Sequence, residues 1–237
     1  MTSGAGAATG TGGGSGQDFD PEVLSQLDAL QLDPGRPLVI TDADEVLFQF
    51  MKGLEGYLAG QELYFDWSSF ALFGNIRRRA DDSPLDHPDL ADHLQAFFAA
   101  HAAELEAVEG AAEALAGLSE RAQIVVLSNI PLPQRTARQE ALRRTGMDYP
   151  LVANRGPKGA AVHHIAARVD APAVFIDDIP LNHKSVRTTG EGVHCLHFVA
   201  DRRLAELLGP AEHCDLACDS WSELRQAIER HFADRGY

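Results

Sequence analysis

Three features are scarce in this chain, and each scarcity excludes a class of protein. The 237 residues include only 3 cysteines, too few for the disulfide framework of a small secreted domain. Lysine and arginine number 20 against 35 acidic residues, and the net charge of −15 disfavours binding to nucleic acid. No apolar run reaches the ~20 residues of a membrane span, and the basic and apolar segments of a signal peptide are missing. We therefore expect a reduced, cytoplasmic protein that binds neither nucleic acid nor membrane.

The cysteines also raise the question of zinc. His213 precedes Cys214, and Cys218 follows four residues after Cys214. A structural zinc site needs a second pair of ligands at a matching spacing, which the sequence does not offer. We interpret these cysteines as ordinary thiols.

Composition divides the chain into a tail, a core and an insertion. Residues 1–17 are mostly Gly, Ala, Ser and Thr, which is typical of a disordered tail. Residues 18–47 and 108–237 alternate strand patterns with helical patterns, as in a parallel sheet with helices on both faces. Residues 48–107 combine helical patterns with an aromatic, turn-forming stretch. The sequence predicts a three-layer, Rossmann-like α/β core with a small, mainly helical cap inserted after the first core strand.

Polar side chains follow three of the predicted core strands. The strands are mostly apolar and lie at residues 38–41, 124–127, 151–153, 173–176 and 192–198. Three of them are followed by paired polar residues, namely Asp42 and Asp44, Ser128 and Asn129, and Asp177 and Asp178. Taken singly, each pair has an ordinary explanation as a turn or a helix cap. In an open α/β sheet, ligands bind in the crevice outside the carboxyl ends of the strands, so we expect the three pairs to converge on one site.

The first acidic pair suits covalent phosphoryl transfer. Asp42 comes directly after its strand and can attack phosphorus to form an acyl phosphate. Asp44 can protonate the leaving alkoxide and then deprotonate the water that attacks the intermediate. Carboxylates clustered this tightly repel an incoming phosphate unless a cation lies among them, and Mg²⁺ suits all-oxygen ligands. This chemistry would suit the hydrolysis of a phosphate ester assisted by Mg²⁺.

The order of these motifs resembles the haloacid dehalogenase superfamily, in particular its aspartyl-nucleophile phosphatases. That family's four motifs are matched in order over about residues 37–200 by Asp42-Ala43-Asp44-Glu45-Val46, by Ser128, by Lys158 at the start of a helix, and by Asp177-Asp178 with Asn182 downstream. The family also places its smaller cap between the first and second motifs, where this chain has its insertion.

The resemblance implies a role for each matched residue. The metal ligands would be the Asp42 carboxylate, the Asp44 backbone carbonyl and Asp178, with Asp177 supporting from nearby. The phosphoryl oxygens would be held by Ser128 and the amides that follow it, including that of Asn129, and Lys158 would offset their charge. The implied substrate is a small phosphorylated metabolite. Glu45 departs from the pattern, since the family commonly has Gly there, which would relax a tight turn.

Three other functions stay open at this point. A phosphomutase would use the same groups. A dehalogenase of the same superfamily needs no metal and typically lacks the second acid of the first motif, so Asp44 counts against it. A catalytically idle domain that binds a phosphorylated ligand or a protein partner is disfavoured by the intact Asp42, Asp44 and Asp178, while Glu45 leaves it open.

The insertion carries two candidate substrate-binding features. The consecutive arginines Arg77, Arg78 and Arg79 are either a solvated face or an anion clamp. The aromatic residues either pack in the cap's own core or contact the substrate, and they are Tyr64, Phe65, Trp67 and Phe70.

Overall fold

The computed structural model describes residues 19–237, so the predicted tail at residues 1–17 lies outside the described residues. The helices are α1 (Pro21–Ala29), α2 (Phe50–Gly60), α3 (His87–His101), α4 (Ala111–Ser119), α5 (Arg135–Arg144), α6 (Gly159–Ala166), α7 (Pro180–Thr189), α8 (Arg202–Leu208) and α9 (Trp221–Ala233). The strands are β1 (Leu38–Thr41), β2 (Leu63–Phe65), β3 (Ile76–Arg78), β4 (Gln123–Ser128), β5 (Leu151–Ala153), β6 (Ala173–Asp177), β7 (Val193–His197) and β8 (Leu216–Ala217). None of the helices within residues 19–237 combines the length and the apolar character needed to cross a bilayer.

The main sheet is parallel, and β1 lies inside it. In the described part of the chain it has six strands in the order β5-β4-β1-β6-β7-β8. Thr41 at the end of β1 pairs with Val126 of β4 on one side and Ile176 of β6 on the other. Every residue of β1 is buried, as expected of a parallel strand covered on both faces. The predicted α/β class is confirmed, whereas β8 is a two-residue, exposed edge strand that the sequence pattern did not indicate.

Helices cover both faces of the sheet and make the three layers. Helices α4, α5, α8 and α9 share one apolar cluster, which includes Leu115, Leu142 and Leu224. Helices α1, α6 and α7 share the other. Neighbouring side chains of β1 divide between the two, since Val39 joins the first cluster and Ile40 the second. This is the alternation that a pleated strand imposes.

Local capping sets where the first and last helices begin. Asp20 accepts a hydrogen bond from the backbone N–H of Glu22 at 2.9 Å, and Pro21 takes the first helical position. At α9 the cap is Ser220, whose hydroxyl oxygen accepts from the N–H of Glu223 at 3.2 Å. Both caps follow the preference for Ser and Asp at this position.

The insertion after β1 contains α2, α3 and the antiparallel pair β2 and β3. The aromatic stretch at residues 67–75 connects β2 to β3. Where the chain enters and leaves the insertion, its two connections pair with each other, because Phe48 bridges Ala107 and the N–H of Gln49 donates to the carbonyl of Glu106 at 2.9 Å. Helix α3, the longer helix of the insertion, ends at His101. The cap is mainly helical, as predicted, but it also carries the short hairpin.

Helices α6 and α7 approach each other closely at Gly159. A Cβ there would lie 2.3 Å from the backbone oxygen of Ser185 and 2.5 Å from the hydroxyl of Thr189. We expect Gly159→Ala to lower the free energy of unfolding by about 1–3 kcal/mol through overpacking. The matched control is Gly56→Ala in α2, where nothing lies within 4 Å of the added carbon, and we expect it to stabilise by about 0.4–1 kcal/mol. Urea denaturation measures both, and equal effects would contradict the close approach of α6 and α7.

Candidate active site

The carboxyl edges of the three central strands bring most of the predicted site residues together. Asp42 follows β1 directly, Ser128 ends β4 and Asp177 ends β6. Because β1 lies between β4 and β6, these three positions are neighbours in space. Lys158, the residue before α6, completes the group from the side.

Lys158 is the cation at the centre of the site. Its side chain is buried, and its Nζ lies 2.7 Å from Asp42 Oδ1 and 2.7 Å from Asp177 Oδ2. Burial alone would lower the pKa of Lys158, but the carboxylates of Asp177 and Asp42 outweigh burial and raise that pKa above its usual range. The ammonium is therefore held in its charged form between two carboxylates.

Both oxygens of the Asp177 carboxylate are occupied by protein donors. Oδ2 binds Lys158, while Oδ1 accepts from the N–H of Ile179 and from the side-chain amide of Asn182, both at 2.9 Å. With its lone pairs directed to these donors, Asp177 positions Lys158. This agrees with a supporting place for Asp177 next to a metal ion, rather than direct ligation.

Asp42 has one oxygen bound and the other available. Its Oδ1 accepts from the N–H of Ala43 at 2.7 Å as well as from Lys158, and no hydrogen bond from residues 19–237 reaches Oδ2. Burial raises the pKa of Asp42 to about 7; Lys158 opposes this shift, while repulsion by Asp177 and Asp44 adds to it. The arrangement leaves a single carboxylate oxygen directed at the crevice.

The donor set around Asp42 fits a divalent cation. Carboxylate oxygens of Asp42, Asp177 and Asp178 lie within 4.8 Å of one another, and all three residues are buried. Burial, together with repulsion by Asp177 and Asp42, raises the pKa of Asp178 well above its usual range. Three carboxylates against the single ammonium of Lys158 leave two negative charges, which a divalent ion on oxygen ligands would balance. Asp42 and Asp178 are the side chains that would hold it.

Two buried histidines hold the backbone of the acidic pair. The Nε2 atom of His183 donates to the carbonyl of Asp177 at 3.0 Å, and Nε2 of His197 donates to that of Asp178 at 2.9 Å. Burial lowers the pKa of both imidazoles, which favours neutral rings protonated on the donating nitrogen. Sequence reasoning did not assign this role to either histidine, because only the tertiary structure brings their rings to the backbone of Asp177 and Asp178.

The two predicted phosphate-binding residues on β4 differ in their surroundings. The hydroxyl of Ser128 is buried and has no hydrogen-bond partner in the described part of the chain, so it is free to bind a ligand oxygen. The side chain of Asn129 is already engaged, because it donates to the carbonyl of Gly156 at 3.0 Å and accepts from Asn154 at 2.8 Å. Asn129 thus ties β4 to the loop that leads to Lys158, and only its backbone amide remains for a ligand.

Glu45 adopts the left-handed conformation that glycine favours, with φ of 58°. Its buried carboxylate compensates by accepting from the N–H of Met51 at 2.6 Å and from the N–H of Asp201 at 2.8 Å. Burial raises the pKa of Glu45 to about 7, although the two N–H donors act against this. The turn after β1 therefore keeps the geometry that glycine would allow, and Glu45 uses it to join the core to the start of α2.

Arg138 is the functional candidate that sequence reasoning missed. It projects from α5, it is fully buried, and its Nη2 lies 2.7 Å from Asp44 Oδ1. The angles do not make this contact a hydrogen bond, and the guanidinium nitrogens have no hydrogen-bond partner among residues 19–237. The guanidinium lies 4.8 Å from the centre of the Phe48 ring, a cation–π distance. Arg138 holds Asp44 by charge and by stacking on the same loop.

The sequence did contain a signal for Arg138. It lies three and four residues before Ala141 and Leu142, which are buried on the inner face of α5. A charged residue on the apolar face of an amphipathic helix is unusual unless it is paired.

A cavity of about 230 Å³ opens over the site. Its base contains Asp42, Asp44, Lys158 and Asp178. Larger depressions of about 450 and 520 Å³ elsewhere on the described surface contain none of the predicted site residues. The candidate site residues therefore lie at the smaller cavity, between the core and the cap.

The cap arginines face away from this cavity. Arg77 pairs with Asp66 at 3.2 Å, Arg78 pairs with Asp89, and Arg79 lies 5.7 Å from the centre of the Tyr64 ring. None of the three arginines lines the cavity as the described residues form it. The anion-clamp hypothesis is wrong for this geometry, since each guanidinium is already partnered by a cap residue.

Among the four cap aromatics that the sequence analysis singled out, only Phe70 lines the cavity. Phe65 is buried in the cap's own core and meets Trp67 edge to face at 4.8 Å. Trp67 donates to Glu55 at 3.0 Å, and Tyr64 donates to Asp82 at 3.2 Å. Of these four residues, Phe70 is therefore the candidate for substrate contact, whereas the other three contact residues of the cap itself.

Replacing Arg138 by Met separates a structural role from a functional one. Arg138→Met removes a buried guanidinium that makes no hydrogen bond within residues 19–237, and the side chain of Asp44, which loses its partner, is 21% exposed, so that water can solvate its charge. We expect Arg138→Met to change the free energy of unfolding by less than about 1 kcal/mol, whereas Leu142→Ala on the same face of α5 should cost about 2–5 kcal/mol. Urea denaturation of both variants measures this, and a loss above about 2 kcal/mol for Arg138→Met would make the arginine a structural element.

The fold is shared with solved structures of one superfamily. No protein-family model matches the chain, and no curated protein sequence matches it. A haloacid dehalogenase family hydrolase from Deinococcus radiodurans, solved with bound phosphate and sodium, aligns at 22% identity and a TM-score of 0.51 over 84% of this chain and 97% of its own. A putative phosphatase from Clostridium difficile aligns at 12% identity and a TM-score of 0.56, over 83% of this chain and 100% of its own. An L-2-haloacid dehalogenase aligns at 12% identity and a TM-score of 0.54, over 82% of this chain and 100% of its own. The chain therefore has the fold of the haloacid dehalogenase-like hydrolases.

Proposed function

We propose that this protein is a Mg²⁺-dependent phosphatase that hydrolyses a small phosphorylated metabolite through an aspartyl-phosphate on Asp42. The observation that carries the proposal is the placement of Lys158 Nζ at 2.7 Å from both Asp42 and Asp177. One oxygen of Asp42 is thereby fixed while the other stays available at the base of a cavity. A nucleophile oriented in this way needs little reorganisation before it attacks.

The side chains divide the reaction between them. Asp42 Oδ2 attacks phosphorus, the bond from phosphorus to the alcohol oxygen breaks, and the phosphoryl group is then carried by Asp42 until water attacks phosphorus and releases inorganic phosphate. Lys158 offsets the charge of the phosphoryl oxygens throughout. The free hydroxyl of Ser128 is available to bind one of those oxygens. Asp44 donates a proton to the leaving oxygen and then takes one from the attacking water. Arg138, at 2.7 Å from Asp44, positions that carboxylate against the cavity.

A divalent cation held by Asp42, the Asp44 carbonyl and Asp178 would neutralise charge on the phosphate and allow an anionic substrate to approach these carboxylates. Mg²⁺ is the proposed ion because every donor is an oxygen. The proposed location is the cytoplasm, which the three free thiols of Cys195, Cys214 and Cys218 support.

Dehalogenation is the second candidate, because apolar side chains such as Met51, Leu94 and Phe98 also line the cavity and would suit a haloalkane as well as an ester. The same Asp42 would attack carbon rather than phosphorus, and a halide needs no proton on leaving. Asp44 and the excess of carboxylates over cations at the site count against it. A phosphomutase or an idle binding domain would keep the same groups, and the first would be recognised by transfer of phosphate to a second substrate hydroxyl.

Replacing Asp42 by Asn tests the nucleophile. The amide keeps the size but removes the attacking charge, so we expect hydrolysis of the best ester to fall by several orders of magnitude with the fold intact. With a ³²P-labelled ester, the wild type should carry hydroxylamine-sensitive label and Asp42→Asn should carry none. Asp148→Asn is the matched control, because its side chain is 57% exposed on the surface. Retention of more than a few per cent of the activity by Asp42→Asn would exclude the covalent mechanism.

Replacing Asp178 by Asn tests the metal site by a measurement that does not depend on turnover. Without metal, removal of this buried charge relieves repulsion by Asp42 and Asp177, so we expect Asp178→Asn to melt a few degrees above the wild type. Added Mg²⁺ should raise the melting temperature of the wild type and leave that of the variant nearly unchanged. The variant should also need much more Mg²⁺ for turnover. Full activity in excess chelator, with halide released from a 2-haloalkanoate, would favour dehalogenation instead.

A further inference from the structure

The walls of the active-site cavity differ in chemistry from its base. The charged and amide side chains that line the cavity all come from the core, either from loops at its base or, for Asn182, from α7. The wall that the cap supplies is made of carbon and one thioether, from Phe50, Met51, Phe70, Leu72, Leu94 and Phe98. Leu204 and Leu208 of α8 extend the same apolar surface from the core side.

The cap offers no polar group to a substrate at this wall. Its three consecutive arginines are paired away from the cavity, with Asp66, with Asp89 and against Tyr64. The carboxylate of Glu45, which also lines the cavity, accepts from the backbone N–H groups of Met51 and Asp201. A hydroxylated or charged group placed against this wall would lose its water and gain no hydrogen bond.

We infer that the substrate is a small phosphomonoester whose alcohol carries an uncharged aromatic or aliphatic group. The inference rests on the proposed phosphatase activity and adds to it the part of the substrate that the cap selects. The cavity, at about 230 Å³, is smaller than the roughly 300 Å³ of the smallest common ligand pockets. It therefore holds the phosphate and a group of the size of one ring, rather than a nucleotide or a disaccharide.

The test compares esters of primary alcohols, so that the departing oxygen is similar throughout. The full chain with Mg²⁺ is assayed with benzyl phosphate, glycerol 1-phosphate and glucose 6-phosphate. We expect kcat/KM for benzyl phosphate to exceed the other two by at least about tenfold, since a hydrophobic contact of ring size is worth that much. Equal values, or a preference for either hydroxylated ester, would overturn the inference.

Two phenylalanines on the loop between β2 and β3 supply a matched pair of variants. Phe70 lines the cavity and is 52% exposed, whereas Phe73 is 46% exposed, stacks on His87 and does not line the cavity. Phe70→Ala should raise KM for benzyl phosphate by about tenfold and raise KM for glycerol 1-phosphate much less. Phe73→Ala should change neither. An equal effect of Phe70→Ala on both esters would show that the ring does not contact the apolar group.

Binding of unreactive phosphonates separates failure of this inference from failure of the proposed function. Calorimetry with Mg²⁺ compares benzylphosphonate with hydroxymethylphosphonate. If no ester is hydrolysed but benzylphosphonate binds at least about tenfold more tightly, the cavity has the inferred selectivity and the phosphatase proposal fails. If esters are hydrolysed but the two phosphonates bind equally, the activity stands and the inferred substrate class is wrong.

Discussion

The burial of three carboxylates around one ammonium is the constraint on which the rest of this structure depends. Lys158 reaches Asp42 and Asp177 only because its helix begins beside the carboxyl edge of the sheet. The close approach of α6 to α7 at Gly159 fixes that starting point. Asn182, in the first turn of α7, holds Asp177 in turn. A shift of either helix would leave a buried charge without its partner, at a cost of several kcal/mol.

The turn after β1 connects the loop that carries Asp42 to the cap. Glu45, in the left-handed conformation, accepts from the N–H of Met51 in α2 and from that of Asp201. Asp201 pairs with Arg203, and Arg203 binds Glu55 of the cap at 2.7 Å. One continuous network thus runs from the loop that carries Asp42 to the surface of the cap. The start of α2 and the loop that carries Asp42 are therefore joined by direct hydrogen bonds through Glu45.

Charge and apolar surface are separated within the cavity. The charges at its base meet partners from the core, as Asp44 meets Arg138 at 2.7 Å. The cap contributes Phe70, Leu94 and Phe98, while its arginines Arg77 and Arg78 pair with cap carboxylates away from the cavity. In the proposed reaction, core and cap would serve different ends of the substrate, the phosphate at the base and the alcohol group at the wall.

The sequence by itself determined the fold class and the acidic residues at the strand ends, because buried strands and helix caps are local patterns. β1 with Asp42 and β6 with Asp177 follow that logic. Only the tertiary structure decided which charges are partnered, since a pair such as Asp44 and Arg138 joins positions far apart in the chain. The sequence left the three arginines open between a solvated face and an anion clamp, and the hairpin of β2 and β3 turns them toward cap partners such as Asp66 and Asp89. Pairing depends on distances that no local pattern contains, and burial makes it decisive because an unpaired charge in the interior is costly.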